Sequence, residues 1–92
     1  MKPEMIALIF DIPKDKTALR VRTWRELRRV GAELRFRSLW SMPHTKRNLS
    51  DLKFIMKDIR KFGGKAEVVT FKVIFLHYLE YINSMIDRIW EI

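Results

Sequence analysis

A single carboxylate at the end of an apolar run is the first candidate for chemistry. Six apolar residues, Met5 to Phe10, lead into Asp11, and Pro13 follows two residues later. A short, continuous apolar run closed by a proline is typical of a buried strand. An acid at the tip of such a strand is either a functional site or half of a buried ion pair. Arg20 is the expected structural partner of Asp11, because it falls within the apolar arc of the next predicted helix. The residues of that arc, which are expected to point inward, are Leu19, Val21, Trp24, Leu27 and Val30.

The basic side chains are the second candidate. The chain has 92 residues, with 19 Lys and Arg against 11 Asp and Glu, for a net charge of +8. Residues 1–72 carry 18 of the basic and 8 of the acidic side chains, and residues 73–92 carry one and three. A basic body favours a polyanion partner, most often nucleic acid, and the alternative is charge that serves solubility alone. The residues expected to contact phosphates are Lys14, Lys16, Arg22, Arg25, Arg29, Arg35, Arg37, Lys46 and Arg47.

Two aromatic residues and a histidine are further candidates. Phe36, Trp40 and His44 could stack on bases, but half-buried strands favour aromatics, so we expect the two aromatics in the core or a dimer interface. His44 is either a proton-transfer group beside a phosphate or polar surface. The sequence has no cysteine, which excludes disulfides and thiol chemistry, and it has no glycine-rich phosphate loop.

The elements that must position these residues alternate between strand and helix periods. They are a strand over 5–11, a helix over 17–30, a strand with a bend over 33–42, a helix over about 49–62 and a strand over 66–71. This order predicts an α+β fold, namely a ferredoxin-like βαββαβ sandwich with an added C-terminal helix. Residues 1–72 form the predicted domain. Residues 73–92 form an amphipathic helix that belongs to the same domain or to a dimer interface.

The size and the apolar runs limit where the protein acts. A chain of 92 residues has a thin core, so a partner subunit would help to stabilise it. The N-terminal apolar run is too short for a secretory signal and follows Glu4. No apolar run approaches the roughly 20 residues of a membrane span. We therefore expect a cytoplasmic protein with no membrane partner.

Four short motifs together resemble one protein family. They are the segment IFDIP at 9–13, Arg20, the segment LRRVG at 27–31 and the segment SLWSMPH at 38–44. This combination resembles the Cas-two-like domain at the centre of PaaX-type transcriptional repressors. It is similar, less closely, to the CRISPR-associated Cas-two proteins. The resemblance covers roughly residues 5–71.

The resemblance implies a catalytic role for Asp11. In the Cas-two family the matching aspartate lies near the twofold axis of the dimer and is the proposed Mg²⁺ ligand for phosphodiester hydrolysis. Mg²⁺ is often held by only one or two carboxylates, and a twofold axis would supply the second one. The resemblance also implies DNA or RNA and a CRISPR integrase subunit as partners. An ion pair with Arg20 would instead compete with the metal for the carboxylate.

Taken together, the sequence predicts a small, basic, homodimeric protein that binds nucleic acid. The resemblance adds Mg²⁺-dependent endonuclease activity or a place in CRISPR adaptation. The alternative is a non-enzymatic dimerisation or regulatory scaffold module like that of the PaaX-type proteins. A third hypothesis is a toxin-type ribonuclease resembling the VapD group. The helix predicted over 73–92 is expected to stabilise the homodimer.

Overall fold

Six elements follow one another in the part of the chain that the computed structural model describes, residues 4–72. They are β1 (Glu4–Asp11), α1 (Thr17–Arg29), β2 (Glu33–Phe36), β3 (Leu39–Pro43), α2 (Lys46–Lys61) and β4 (Lys65–Lys72). The strands form one four-stranded antiparallel sheet. The α+β class predicted from the sequence is confirmed.

The first strand lies inside the sheet, whose order is β2-β3-β1-β4. Ile6 of β1 is opposite Met42 on one side and Thr70 on the other. Neighbouring strands pair with both edges of β1, and the side chains of Ile6, Ala7 and Leu8 are fully buried. The prediction of a buried strand over this apolar run is confirmed.

The core lies between the sheet and the helices. Ile6 and Leu8 point toward the helices, where they join Leu27 of α1 and Leu52 and Ile59 of α2. Trp40 of β3 is only 5% exposed, so its predicted place in the core is confirmed. Phe36 is 65% exposed, so it lies outside the core of the chain, and its alternative place in a dimer interface stays a prediction. The register between β2 and β3 shifts after Leu34, which carries Phe36 to the end of the hairpin, away from the helices.

Helix α1 buries a narrower stripe than the sequence predicts. Its buried residues are Leu19, Thr23 and Leu27, spaced four apart along one line of the helix. Val21 and Trp24 were expected to point inward, but they are 43% and 49% exposed. Helix α1 packs against the core along this one line of residues. The neighbouring side of the helix, which carries Val21 and Trp24, borders a groove. Helix α1 ends as predicted, before Gly31 at φ +89°.

The bend predicted near Leu39 is a tight hairpin between β2 and β3. Arg37 and Ser38 form its turn, and Arg37 has a φ of +44°. Helix α2 begins at Lys46, earlier than the sequence predicts. The reason is that the Thr45 hydroxyl caps the helix by accepting a 3.0 Å hydrogen bond from the backbone N–H of Asn48.

Two remaining expectations concern membranes and the C-terminal segment. Neither helix within residues 4–72 has both the length and the apolar character needed to cross a membrane. The helix predicted over 73–92, together with its role in a homodimer, lies outside the described residues.

Candidate functional site

An open groove lies where β1 ends, between α1 and the hairpin of β2 and β3. Its volume is about 930 Å³. The chain leaves β1 at Asp11 and turns through Pro13, whose carbonyl accepts a 3.0 Å hydrogen bond from the N–H of Lys16. This turn starts α1 beside the end of β1, opposite the hairpin turn at Arg37. The groove is therefore a product of the way these three elements meet.

The floor of the groove is apolar. Ile12 and Trp40 are almost fully buried beneath it. Val21 and Trp24 of α1 and Leu34 of β2 form the sides, and each is between 43% and 52% exposed. Concave sites lined mainly by apolar side chains with a few polar groups are the usual form of ligand-binding pockets.

The rim of the groove is cationic. Lys14, Arg20, Arg25 and Arg37 line it, together with the carboxylate of Asp11. None of these four cations belongs to an ion pair formed within residues 4–72. Four positive charges against one negative charge leave a local excess that attracts anions.

Arg37 reaches the groove from a strained backbone. Its φ of +44° lies in the left-handed region, which glycine, asparagine and aspartate adopt more readily than arginine. The left-handed conformation costs a side chain other than glycine about 1–2 kcal/mol. Strain of this kind is found most often at sites of function, and here it places a guanidinium at the mouth of the groove.

Trp24 separates the groove from a smaller neighbouring depression. It lines both, and Leu34 and Trp40 are also shared by the two. The guanidinium carbon of Arg28 lies 4.9 Å from the centroid of the Trp24 ring. This contact is a cation–π interaction, and it adds a further positive charge near the aromatic surface.

Three of the predicted phosphate contacts are already used inside the chain. Arg22 pairs with Asp58 of α2 at 3.1 Å. Arg29 pairs with Glu26 at 2.8 Å, and its hydrogen bond holds the pKa of the Glu26 carboxyl below its ordinary value. Arg35 lies across the sheet, where its Nε donates to Ser41 Oγ at 3.0 Å and its Nη2 pairs with Glu33 at 3.0 Å.

Three others lie away from the groove. The stem of Lys16 lies against the α2–β4 turn, since a Cβ built on Gly63 would be 2.9 Å from Lys16 Cε. Lys46 and Arg47 are in the first turn of α2, at the end of the sheet where β1 begins. His44 lies at that same end, where its Nδ1 is 2.8 Å from Glu4 Oε1.

Asp11 shares the groove with Arg20, but no ion pair joins them within the described residues. The prediction of a Mg²⁺ site at Asp11 depends on the donors around it. Residues 4–72 hold no cluster of three or more acidic, histidine or cysteine side chains. The other charged groups that line the groove with Asp11 are four cations, which compete with a metal for its carboxylate. The Mg²⁺ site at Asp11, with its second carboxylate from a partner copy, stays a prediction.

The sequence reasoning missed two members of this groove. It assigned Arg20 to an ion pair and Trp24 to the core, whereas both line the groove. The spacing of the residues in α1 could have predicted that these two side chains lie outside the core. Leu19, Thr23 and Leu27 already form a complete stripe with a spacing of four, which leaves Arg20 and Trp24 to form a neighbouring line.

The fold and the groove together define a small α+β domain with a cationic groove. The model of the family described as "Protein ChrB, N-terminal" matches residues 20–83, and the chain belongs to this family. No curated protein matches the chain. The crystal structure of the hypothetical protein TT1823 from Thermus thermophilus is similar at a TM-score of 0.51 and 22% identity. The match covers 82% of this chain and 85% of that one, and it shows a shared fold.

The family match overturns the resemblance to Cas-two-like and CRISPR-associated proteins. The matched region begins at Arg20, so the segment at 9–13 lies outside it. The structure also accounts for the motifs in another way. Phe10 and Ile12 pack against the core, Trp40 is buried, and Pro43 ends β3. Their positions follow from strand packing in a sheet of this kind, so they do not identify a family.

Proposed function

We propose that the protein binds single-stranded nucleic acid in the groove between α1 and the β2–β3 hairpin. The observation that carries the proposal is the combination of a cationic rim and an apolar, partly aromatic floor. Lys14, Arg20, Arg25 and Arg37 would contact phosphates, and Trp24 would stack on a base.

The charge distribution supports a polyanion as the ligand. The rim cations are outside the ion pairs of residues 4–72, so their charges are not neutralised by a neighbouring acid. Phosphate contacts of this kind give affinity without sequence preference, because they release counterions from the backbone.

The apolar sides of the groove favour a single strand over a duplex as the ligand. Bases in a duplex are stacked on each other, so they cannot lie flat on a side chain in a concave site. Trp24, Val21 and Leu34 offer apolar surface only to a base that is free to leave the stack. Stacking of one base on an aromatic side chain is worth about 1–3 kcal/mol.

A binding titration with four matched ligands tests the proposal. Fluorescein-labelled single-stranded DNA and RNA and their duplexes are titrated with the protein at several salt concentrations. We expect tighter binding of single strands, with an affinity that falls as salt rises. Quenching of tryptophan fluorescence that is lost in Trp24→Leu would assign the contact to the groove. An affinity that does not depend on salt, or equal binding of single strands and duplexes, would contradict the proposal.

Two variants of equal net charge separate the groove from the rest of the basic surface in this test. Arg25→Gln removes a groove cation, and Arg29→Gln removes a cation of the same helix that pairs with Glu26. Both variants lose one positive charge. We expect only Arg25→Gln to weaken binding, whereas equal losses would mean that the whole basic surface binds the ligand and the groove has no special part.

A second candidate is a small oxyanion in the same groove. The matched family is described as resembling a regulator of chromate resistance, and chromate is a dianion that a cationic rim would attract. Nucleic acid remains the first candidate, because a small oxyanion would make no favourable contact with the apolar side chains of the groove. Chromate added to the titration distinguishes the two, since competition well above the effect of sulfate at equal ionic strength would favour the oxyanion.

We also propose that the fold is ferredoxin-like. The support is the strand order β2-β3-β1-β4, in which β3 separates β1 from β2 and β1 separates β3 from β4. Two split βαβ units with right-handed crossovers would produce this order. An experimental structure in which the two helices lie on opposite faces of the sheet would rule it out.

A further inference from the structure

One half of the sheet face opposite the helices carries partly exposed apolar side chains, with Glu67 opposite Ile9 on the same face. The side chains of β1 and β4 that point to this face include Ile9, Val69 and Phe71, as the alternation along both strands requires. Each is between 38% and 43% exposed. The strands β1 and β4 are neighbours, so Ile9, Val69 and Phe71 form one continuous patch, which is named the bare patch below.

The other half of the same face already has a polar cover. Ser41 of β3 is opposite Ala7, and it is 1% exposed. The Arg35 side chain from β2 lies over it, with a hydrogen bond from Nε to Ser41 Oγ at 3.0 Å. The bare patch is therefore about two strands wide, and a second sheet packed face to face would have to bury Arg35 and its ion pair with Glu33.

A single helix fits the size of this patch. Strands lie about 4.8 Å apart, and a helix with its side chains is about 10–12 Å across, so one helix covers two strands. The eight residues of β1 extend for roughly 27 Å. A helix of 20 residues extends for about 30 Å.

The chain itself supplies a segment of that length and character. Strand β4 is at the edge of the sheet and ends at Lys72, opposite Glu4, so residues 73–92 begin at the border of the bare patch. Their sequence predicts an amphipathic helix. Its apolar positions are Phe75, Tyr78, Leu79, Ile82, Met85, Ile86, Ile89 and Trp90.

We propose that residues 73–92 cover the β1–β4 half of the open sheet face of their own chain. The tether favours this occupant over a second copy of the protein, because a directly attached segment has an effective concentration in the millimolar range. The patch is one helix wide, and the segment starts at its edge. This inference concerns the face opposite the groove and does not depend on the proposed function.

A spin label distinguishes the chain's own segment from that of a second copy. The protein has no cysteine, so Glu80→Cys gives one nitroxide site within residues 73–92. In the first sample, ¹⁵N-labelled protein carrying the nitroxide is diluted tenfold into unlabelled, nitroxide-free protein. In the second, ¹⁵N-labelled protein without nitroxide is mixed with unlabelled protein that carries it. Reduction of the nitroxide provides the reference spectrum for each sample.

We expect the amide signals of β1 and β4 to lose more than half of their intensity in the first sample and to remain unchanged in the second. Broadening of β1 and β4 in the second sample would overturn the proposal in favour of a second copy. Broadening confined to other elements, or absent from β1 and β4 in both samples, would overturn it as well.

A pair of substitutions on β4 provides an independent test. Val69→Lys places a charge on the bare patch, and Thr70→Lys places the same charge on the other face of the same strand, opposite Ile6. Hydrogen exchange of residues 73–92 should accelerate at least tenfold in Val69→Lys and stay within twofold in Thr70→Lys. Exchange of Leu8 and Leu52 reports whether the core is intact. Equal exchange of residues 73–92 in the two variants would contradict the proposal.

Discussion

Replacing Arg37 by glycine separates binding from folding, because the two effects have opposite signs. The residue has a φ of +44°, a conformation that costs an arginine about 1–2 kcal/mol and a glycine almost nothing. Glycine also makes the unfolded chain more flexible, which costs about 0.4–1 kcal/mol. We therefore expect the free energy of unfolding of Arg37→Gly to equal that of the wild type or to exceed it by up to about 1.6 kcal/mol.

Binding should weaken in the same variant. One phosphate contact to a single strand contributes about 0.7 to the slope of log affinity against log salt. Loss of the Arg37 contact should lower the slope by that amount. The affinity should then fall by about fivefold at 0.1 M salt, and the difference should vanish near 1 M salt.

The assay is an anisotropy titration at four or more salt concentrations, run beside urea denaturation of the same protein preparations. Arg37→Lys is the matched control, since it keeps both the charge and the strained backbone. The reasoning is refuted if Arg37→Gly binds with the wild-type slope. It is also refuted if Arg37→Gly loses more than 1 kcal/mol of stability, because the turn would then not be strained.

Three further predictions concern stability and titration. Thr23→Val should stabilise the protein by about 1 kcal/mol in urea denaturation, because the buried Thr23 hydroxyl has no hydrogen-bond partner within residues 4–72. Gly64→Ala should cost about 1–3 kcal/mol and lower Tm by about 4–8 °C per kcal/mol, since its Cβ would be 2.5 Å from Cγ2 of the fully buried Ile59. The Glu26 carboxyl should titrate below its ordinary pKa in an NMR titration and return to it in Arg29→Gln. The stability that this ion pair contributes is therefore present at neutral pH and is lost as the pH falls through the lowered pKa.

Each of these predictions has its own control. Thr23→Ser keeps the unpaired hydroxyl and should not stabilise the protein, so a gain there would refute the argument. Gly31→Ala is the complementary case: Gly31 has a positive φ, which Gly64 does not have, and its Cβ would lie in open space, so this variant measures backbone strain without a clash. A Gly64→Ala variant as stable as the wild type would mean that the α2–β4 turn moves freely away from Ile59. An unchanged Glu26 titration in Arg29→Gln would assign the lowered pKa to another cause.

Local patterns predicted the elements well where each residue's neighbours along the chain decide its conformation. The apolar run of β1, the end of α1 at Gly31 and the period change into β4 were all readable in this way. The start of α2 was less readable, because it depends on whether the Thr45 hydroxyl or a later polar side chain caps the helix. Several residues after Pro43 qualify as caps by type, and the path of the chain out of β3 selects one.

The site was harder to predict, because a charged side chain can pair with any group that the fold brings near it. Arg22 is 36 positions from Asp58, and only the packing of α1 against α2 joins them. Arg25 lies on the same predicted polar face as Arg22, yet it remains outside the ion pairs of residues 4–72 and lines the groove. Their separate roles follow from which element lies opposite each turn of α1.

Asp11, at the end of an apolar strand, illustrates the difference between what the sequence determines and what the tertiary structure determines. Its sequence alone determined that the strand is buried and that the acid is at its exposed end, because six consecutive apolar residues and a nearby proline leave few alternatives. Only the tertiary structure decided the surroundings of Asp11. Lys14, Arg20, Arg25 and Arg37 come from a turn, a helix and a hairpin, and these elements meet only when the sheet and α1 pack together. The sequence determined the local conformation, and long-range packing determined that this acid lies in a cationic groove.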